Sequence, residues 1–342
     1  MDNLYFPAEW EPQIGIQLTW PHGGTDWADC LDEITETFIQ LSQAITRFEP
    51  LIIVTPHTEA THDTLAARLT PEAMDRVTLF ECPTNDTWAR DHGPLTLLTR
   101  DGKEGARLLD FQFNGWGCKF PAALDNAINS RLAKAGRLPH PLEDHNDFVL
   151  EGGSVESDGH GTVFTTTACL LAPHRNQPLS RADIEGQLLQ RLHAQRVVWL
   201  EHGILAGDDT DGHIDTIVRC APDDTLLYVS CDDKGDKHYD DFKALERQLE
   251  SLRTLDGSPY RLLPLPMPDA IYDDDFRLPA TYANFLILNG AVLVPTYGQP
   301  ANDQQAIQTI ASAFPGREAI PIDATTVILQ HGSLHCLTMQ YH

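Results

Sequence analysis

One strand–helix–strand pattern recurs along this chain, and a repeat of that length constrains the fold more than any single residue does. Four segments share an order: a short strand, a second strand, an amphipathic helix, a third strand, then a polar loop rich in Asp, Gly and His. The second strands end in LLDFQFNG (108–115), CLLAP (169–173), LLYVSC (226–231) and AVLVPTYG (291–298), with ends spaced by about 58, 58 and 67 residues. Apolar residues then recur at helical spacing: Leu124, Ile128, Leu132; Ile184, Leu188, Leu192; Phe242, Leu245, Leu249, Leu252; and Ile307, Ile310, Phe314. Third strands read FVLEGG, VVWL, RLLPLP and EAIPID. In the last unit Asn289-Gly290 between two apolar runs predicts a hairpin with a type I′ turn, which needs positive φ.

The N-terminus supplies a fifth unit without its first strand: GIQLTWPHGG (15–24), a helix over 26–48 and the strand LIIVTP. The spare C-terminal strand LHCLTMQ (334–340) can complete it. Joining the chain ends this way removes exposed sheet edges. The expectation is one catalytic α/β domain over 1–342, five ββαβ units closed into a propeller with pseudo-fivefold symmetry, with an insertion near 57–83. A doubly wound α/β sheet is the alternative, since its strands also alternate with helices; no GxGxxG or GxxxxGK[ST] run supports nucleotide binding.

With 24 basic and 50 acidic side chains among 342 residues, the formal charge is −26. Such a field repels nucleic acid and anionic lipid and attracts cations. No run approaches the roughly 18 apolar residues of a membrane span, and the acidic N-terminus MDNLYFPAEW does not read as a secretory signal, so the cytoplasm is expected. Seven cysteines without a CxxC pair fit neither a disulfide scaffold nor a zinc ribbon; six of them are expected to be ordinary buried residues.

The loops after the third strands collect the chemistry: TNDTWARDHGP (84–94), EGGSVESDGHGT (151–162), EHGILAGDDTDGHIDT (201–216), PDAIYDDDFRLPATYAN (268–284) and ATTVILQHGSLHC (324–336). Equivalent loops of a ring lie on one face, where functional loops sit. Cys336, expected two residues into its strand, is by itself most simply a buried cysteine; a His in an Asp-rich loop and a carboxylate to orient it would make it a nucleophile. Period-two alternation places His213 and Asp215 on one side of an incipient strand, as general acid/base work requires. Asp209, Asp211, His213 and Asp215 would alternatively suit a cation, though the spacing is not that of an EF-hand. Trp88 is either core or the wall of a cation pocket, Asp91 a turn residue or a ligand, and Glu151 a strand-end turn residue or a buried carboxylate.

Taken together, PAEWEPQIGIQLTWPH, WARDHGP, FVLEGGSVESDGHGT, DDTDGHID, YANFLILNG and LHCLTMQ resemble the agmatine deiminases and their bacterial peptidylarginine deiminase-like relatives, of the guanidino-group-modifying superfamily. The resemblance spans nearly the whole chain and implies a pentein-type five-bladed propeller. It implies Cys336 as nucleophile, His213 as general acid/base, and Asp91 and Asp215 as guanidinium clamps, with Asp209, Trp88, Asn284 and Glu151 binding substrate. No metal or cofactor is implied. The implied partner is a small cationic guanidine, agmatine ahead of free or peptide-bound arginine; a homodimer is compatible with the resemblance, and a non-catalytic binding propeller is the other reading. The run from Gln330 to Cys336 departs from the family's glycine-rich approach to the cysteine, and DTDG stands where DTNG is common; both changes bear on substrate identity.

Overall fold

The computed structural model describes residues 3–102 and 105–342. Its mixed α/β architecture repeats one motif: a first strand antiparallel to a second, which a helix connects to a parallel third. Val218–Ala221, Thr225–Ser230 and Arg261–Pro266 form one such sheet, with helix Tyr239–Ser251 between the second and third strands. Leu286–Ile287, Ala291–Thr296 and Glu318–Asp323 form another, around helix Pro300–Ala313. Val155–Ser157, Thr162–Thr166 and Arg196–Leu200 are joined through Arg181–Arg191. That helix starts in a capping box, Ser180 with Asp183. Leu95–Thr99, Arg107–Gln112 and Leu142–Val149 make the fourth sheet, and Leu4–Tyr5 adds an edge to it.

In the N-terminal unit Gly15–Thr19 pairs with Leu51–Thr55 across helix Leu31–Ile45, while the C-terminal strand Thr338–Tyr341 lies antiparallel to Gly15–Thr19. The helix faces its sheet with Ile34, Phe38, Leu41 and Ile45, all fully buried; each stabilises the fold by roughly 2 kcal/mol. Residues in the expected insertion form helices Thr58–Ala66 and Pro71–Met74 and a fourth strand, Val77–Glu81, parallel to Leu51–Thr55.

Several local expectations are corrected. The second strand near 169–173 ends earlier, at Thr166, whose hydroxyl accepts the Cys169 N–H and starts the helical turn Thr167–Leu170. The helix expected over 26–48 is a 3₁₀ turn, Ala28–Cys30, followed by Leu31–Ile45. The Leu124 stripe is split between Ala123–Asn126 and Ile128–Lys134. Asn289-Gly290 does form the two-residue connection, closed by Leu288 N–H to Ala291 O at 2.9 Å, but neither residue has positive φ. Tertiary bonds fix this turn instead: Asn289 exchanges side-chain hydrogen bonds with the Gln13 backbone and donates its N–H to Glu49. Gly290 is needed for space, because a Cβ there would lie 2.6 Å from the Phe48 ring. Of the seven cysteines, all free, Cys118 is exposed and Cys30 half-buried.

Candidate active site

Three loops meet at Gly153. A Cβ placed on it would lie 2.6 Å from His213 Nδ1, 3.0 Å from Asp91 Oδ1 and 3.1 Å from Asp215 Oδ2, so only glycine lets the three side chains converge. Asp91 sits in the helical turn Ala89–His92, which docks on the cysteine loop through Arg90 N–H to Cys336 O at 3.1 Å. Its oxygens accept the Gly153 N–H at 3.1 Å and the Trp116 indole N–H at 2.9 Å. His213 precedes a 3₁₀ turn, Ile214–Thr216, so it and Asp215 are neighbours through a tight turn and not, as expected, through strand alternation. His213 Nδ1 is 3.6 Å from Asp91 Oδ1.

Cys336 is not inside a strand. It lies in the turn before Thr338–Tyr341, its Sγ 3.8 Å from Asp215 Oδ2. Asn284 shapes that turn: its Oδ1 accepts the N–H groups of both His335 (3.0 Å) and Cys336 (3.2 Å), and its Nδ2 donates to Asp215 O at 3.4 Å. Asn284 is fully buried and braces the cysteine turn from beneath the cavity over Cys336. Glu151 is likewise away from the cavity wall: it is fully buried, and Arg175 Nε reaches its oxygens at 3.1 and 3.3 Å. One of those oxygens lies within 4.8 Å of the Cys169 sulfur, and Cys169 is, as expected, buried in the hydrophobic core.

A cavity of about 400 Å³ opens over Cys336. Trp88 and Trp116 supply its aromatic walls, and Gly332 lies so flat on Trp88 that a Cβ there would be 2.1 Å from the ring. Asp26, Asp86, Asp91, Asp125 and Asp209 line it, with no lysine or arginine among the described lining residues. Asp209 is on the rim, its carboxylate against His331 Nδ1, and the His331 ring stacks on Phe276 at 5.1 Å. Asp211 points elsewhere, to Lys119 at 2.9 Å and Arg175 at 2.7 Å. Asp209, Asp211, His213 and Asp215 therefore do not gather round one cation. Two other sets, Glu151–Cys169–His213 and Glu9–Glu156–His335, hold their ligand-type atoms within 4.8 Å of one another, but Arg175 occupies the first and Arg219 the second.

Burial shapes the electrostatics, since a desolvated charge must find a partner or be neutralised. Burial pushes the Cys336 thiol well up, and the neighbouring Asp215 and Asp91 push it further. Burial works against charge on His213 too, but Asp91, Cys169 and Glu151 outweigh it and hold the imidazolium to about 10. Asp91 is raised to about 6, by burial first, with His213 opposing and Asp215 and Glu151 adding to it. Asp215 overcomes its burial through His335 and His213 and stays below the usual carboxylate range. The site thus pairs a thiol with an imidazolium between two carboxylates.

The sequence motifs contained Asp86 without marking it, and Asp125 and Trp116 lay outside them. Asp125 reaches the cavity because its carboxylate takes the Asn85 and Asp86 N–H groups at 2.6 and 3.0 Å. Trp116 has φ 55° between Gly115 and Gly117, both also at positive φ; the G-W-G run was the available signal.

The model of the Porphyromonas-type peptidyl-arginine deiminases matches residues 5–341. The chain belongs to that family. A Porphyromonas gingivalis structure described as an arginine deiminase is 50% identical, with TM-score 0.92 over 99% of this chain and 98% of that one. A substrate-bound agmatine deiminase of C. jejuni is 33% identical, with TM-score 0.90 over 99% and 96%. Among family sequences, a Selenomonas ruminantium protein assigned as an agmatine deiminase is 34% identical over 99% of this chain and 96% of its own length.

Proposed function

We propose that this family member is an agmatine deiminase, a hydrolase that cleaves a guanidino C–N bond to give N-carbamoylputrescine and ammonia at Cys336. The observation that carries this reading is the cavity lining: five aspartates and no lysine or arginine above the thiol. A dication suits such a wall, whereas the α-carboxylate of arginine would be desolvated without a cation to meet it. Of the two arginines in the motif loops, Arg90 is turned away to Glu9 and Gln340, and Arg277 pairs with Asp236.

A guanidinium held flat against Asp91 and Asp215 makes charge-assisted hydrogen bonds, the geometry its planar fork favours. Its positive charge next to Cys336 offsets the carboxylates that raise the thiol, so docking lets the thiol give its proton up to solvent. The thiolate attacks the guanidino carbon, and the neutral tetrahedral adduct collapses as His213 protonates the departing nitrogen. Ammonia leaves; a cationic thiouronium remains on Sγ. Neutral His213 then takes a proton from water, hydroxide adds to the same carbon, and the C–S bond breaks as the hydroxyl proton passes to the departing sulfur, giving the neutral ureido product and the Cys336 thiol. Each transient charge has a buried carboxylate or imidazole beside it. The surrounding units, as five blades of one propeller-shaped domain, keep these loops on one face.

Deimination of arginine is the second reading, favoured by the higher identity to the Porphyromonas gingivalis structure; Lys119, half-exposed beside Asp211, is the cation that could serve it. Ammonia release from agmatine, arginine and an arginyl peptide, measured side by side, separates the two. The expected result is kcat/KM for agmatine at least about a hundredfold above the others, as loss of an unpaired charge dictates; preference for arginine would replace the leading reading with the second.

A further inference from the structure

Beneath the Cys336 turn Asp215 leads into a buried chain of charges that the chemistry above leaves unused. His335 Nδ1 lies 2.7 Å from Asp215 Oδ2, and His335 Nε2 lies 2.8 Å from Glu9 Oε1. Glu9 also receives Arg90 Nη1 at 3.0 Å and Arg219 Nη2. Arg219 Nε meets Glu156, whose other oxygen accepts the Cys220 N–H at 3.1 Å. Asp215 and His335 are fully buried, and Glu9 keeps only 16% of its side chain exposed.

A neutral imidazole has one N–H, yet both His335 nitrogens are at donor distance from carboxylate oxygens. Burial first, then Arg219 and Arg90, hold the ring below the ordinary histidine range against the pull of Glu9 and Asp215. The two short carboxylate contacts nevertheless call for an N–H on each ring nitrogen, so the geometry favours the charged ring, set among Asp215, Glu9, Arg90 and Arg219. Asp215 Oδ1, by contrast, is buried with no hydrogen-bond partner. One oxygen is anchored from below and the other is free for a donor that arrives with the ligand.

We infer that His335 and Glu9 are positioning residues for Asp215: the ring, held by Glu9, fixes Oδ2 and so aims Oδ1 at the guanidinium. Glu9 comes from the N-terminal PAEWEP run, so a residue far from the cysteine in sequence reaches the substrate through one imidazole. The inference rests on the proposed deimination, and deepens it by adding a layer that sets binding rather than bond breaking.

The test uses two replacements of one ring. In His335→Asn the amide nitrogen falls near the place of Nδ1 and still donates to Asp215; in His335→Gln it falls near Nε2 and reaches Glu9 only. KM and kcat are measured with whichever of agmatine, arginine or an arginyl peptide the unmodified chain turns over fastest, so a wrong substrate assignment shows in the parent and leaves this comparison intact. The expected result is a KM raised roughly tenfold or more in His335→Gln, recovered to within about threefold in His335→Asn, with kcat changed less than KM in both. Equal KM values in the two variants, whether both parental or both raised, would overturn the inference. Glu9→Gln, which keeps the side-chain shape, serves where the ring variants fail to fold: an intermediate rise in KM is expected, and a parental KM overturns the inference.

Discussion

Cys336 illustrates how a residue's neighbours decide its chemistry. A thiol between two carboxylates is a poor nucleophile until a cation joins them, so reactivity is tied to occupancy of the cavity. Cys336→Ser is expected to fold with a parental melting temperature and lose at least about 10³-fold in kcat, because a serine hydroxyl stays protonated there; ammonia release near the parental rate would show that sulfur is not the attacking atom. In the proposed mechanism Asp91, raised to about 6, holds the guanidinium as a carboxylate. The acidic limb of kcat/KM should therefore rise through about pH 6, while the limb of kcat lies lower because the bound cation favours the carboxylate. An acidic limb at the same pH in both profiles would assign it to some other group.

At the scale of elements, the site depends on how closely the turns approach one another. Gly153→Ala would drive a methyl group against His213, Asp91 and Asp215, all buried and unable to retreat. A displacement of about 1 Å in such a site costs on the order of a hundredfold in rate. That loss is expected in kcat with little change in thermal stability, and a fully active variant would mean the three side chains are not arranged around this glycine. Strands and helices were legible because apolar residues keep period two or 3.6 whatever they pack against, which is why the Phe242, Leu245, Leu249 stripe was recovered and is buried. The loops were legible in composition but not in shape. That Cys336 lies outside its strand is decided by a carbonyl on Asn284, more than fifty residues away, and Asn289-Gly290 adopts its turn because Gln13 and Glu49 hold it. Asp125 enters the cavity through backbone N–H groups of residues 85 and 86. No local propensity reports such contacts, and the resemblance to a family supplied the roles that spacing left open.

On the scale of the whole molecule, the first and last units are sewn together by polar groups as well as by the pairing of the C-terminal strand with Gly15–Thr19. Glu49 is central to that seam: one oxygen takes the Asn289 N–H at 2.7 Å, the other is buried without a partner, and burial raises the group to about 7. Because the fold favours its neutral form, its contribution to stability is full below the unfolded value of about 4 and is lost as pH rises through about 7. Glu49→Gln keeps the Asn289 bond and cannot ionise, so its melting temperature relative to the parent should increase as pH rises from about 5 to 8. A constant difference across that range would mean the carboxyl is already ionised in the fold. The charge of −26 acts over the same scale by drawing cations to the cavity, and raising salt should lower kcat/KM for agmatine.

The central claim is a covalent deimination at one sulfur, and intact-protein mass spectrometry with peptide mapping tests it most directly. His213→Gln can neither protonate the leaving ammonia nor deprotonate water, whereas attack retains the help of the substrate's own charge between Asp91 and Asp215. Acid quenching of this variant after mixing with agmatine should reveal one adduct, with the mass of agmatine less ammonia, on the peptide containing Cys336, and it should outlast any adduct on the parent. Turnover at the parental rate without such an adduct, or an adduct carried by another cysteine such as Cys169 or Cys118, would contradict the account.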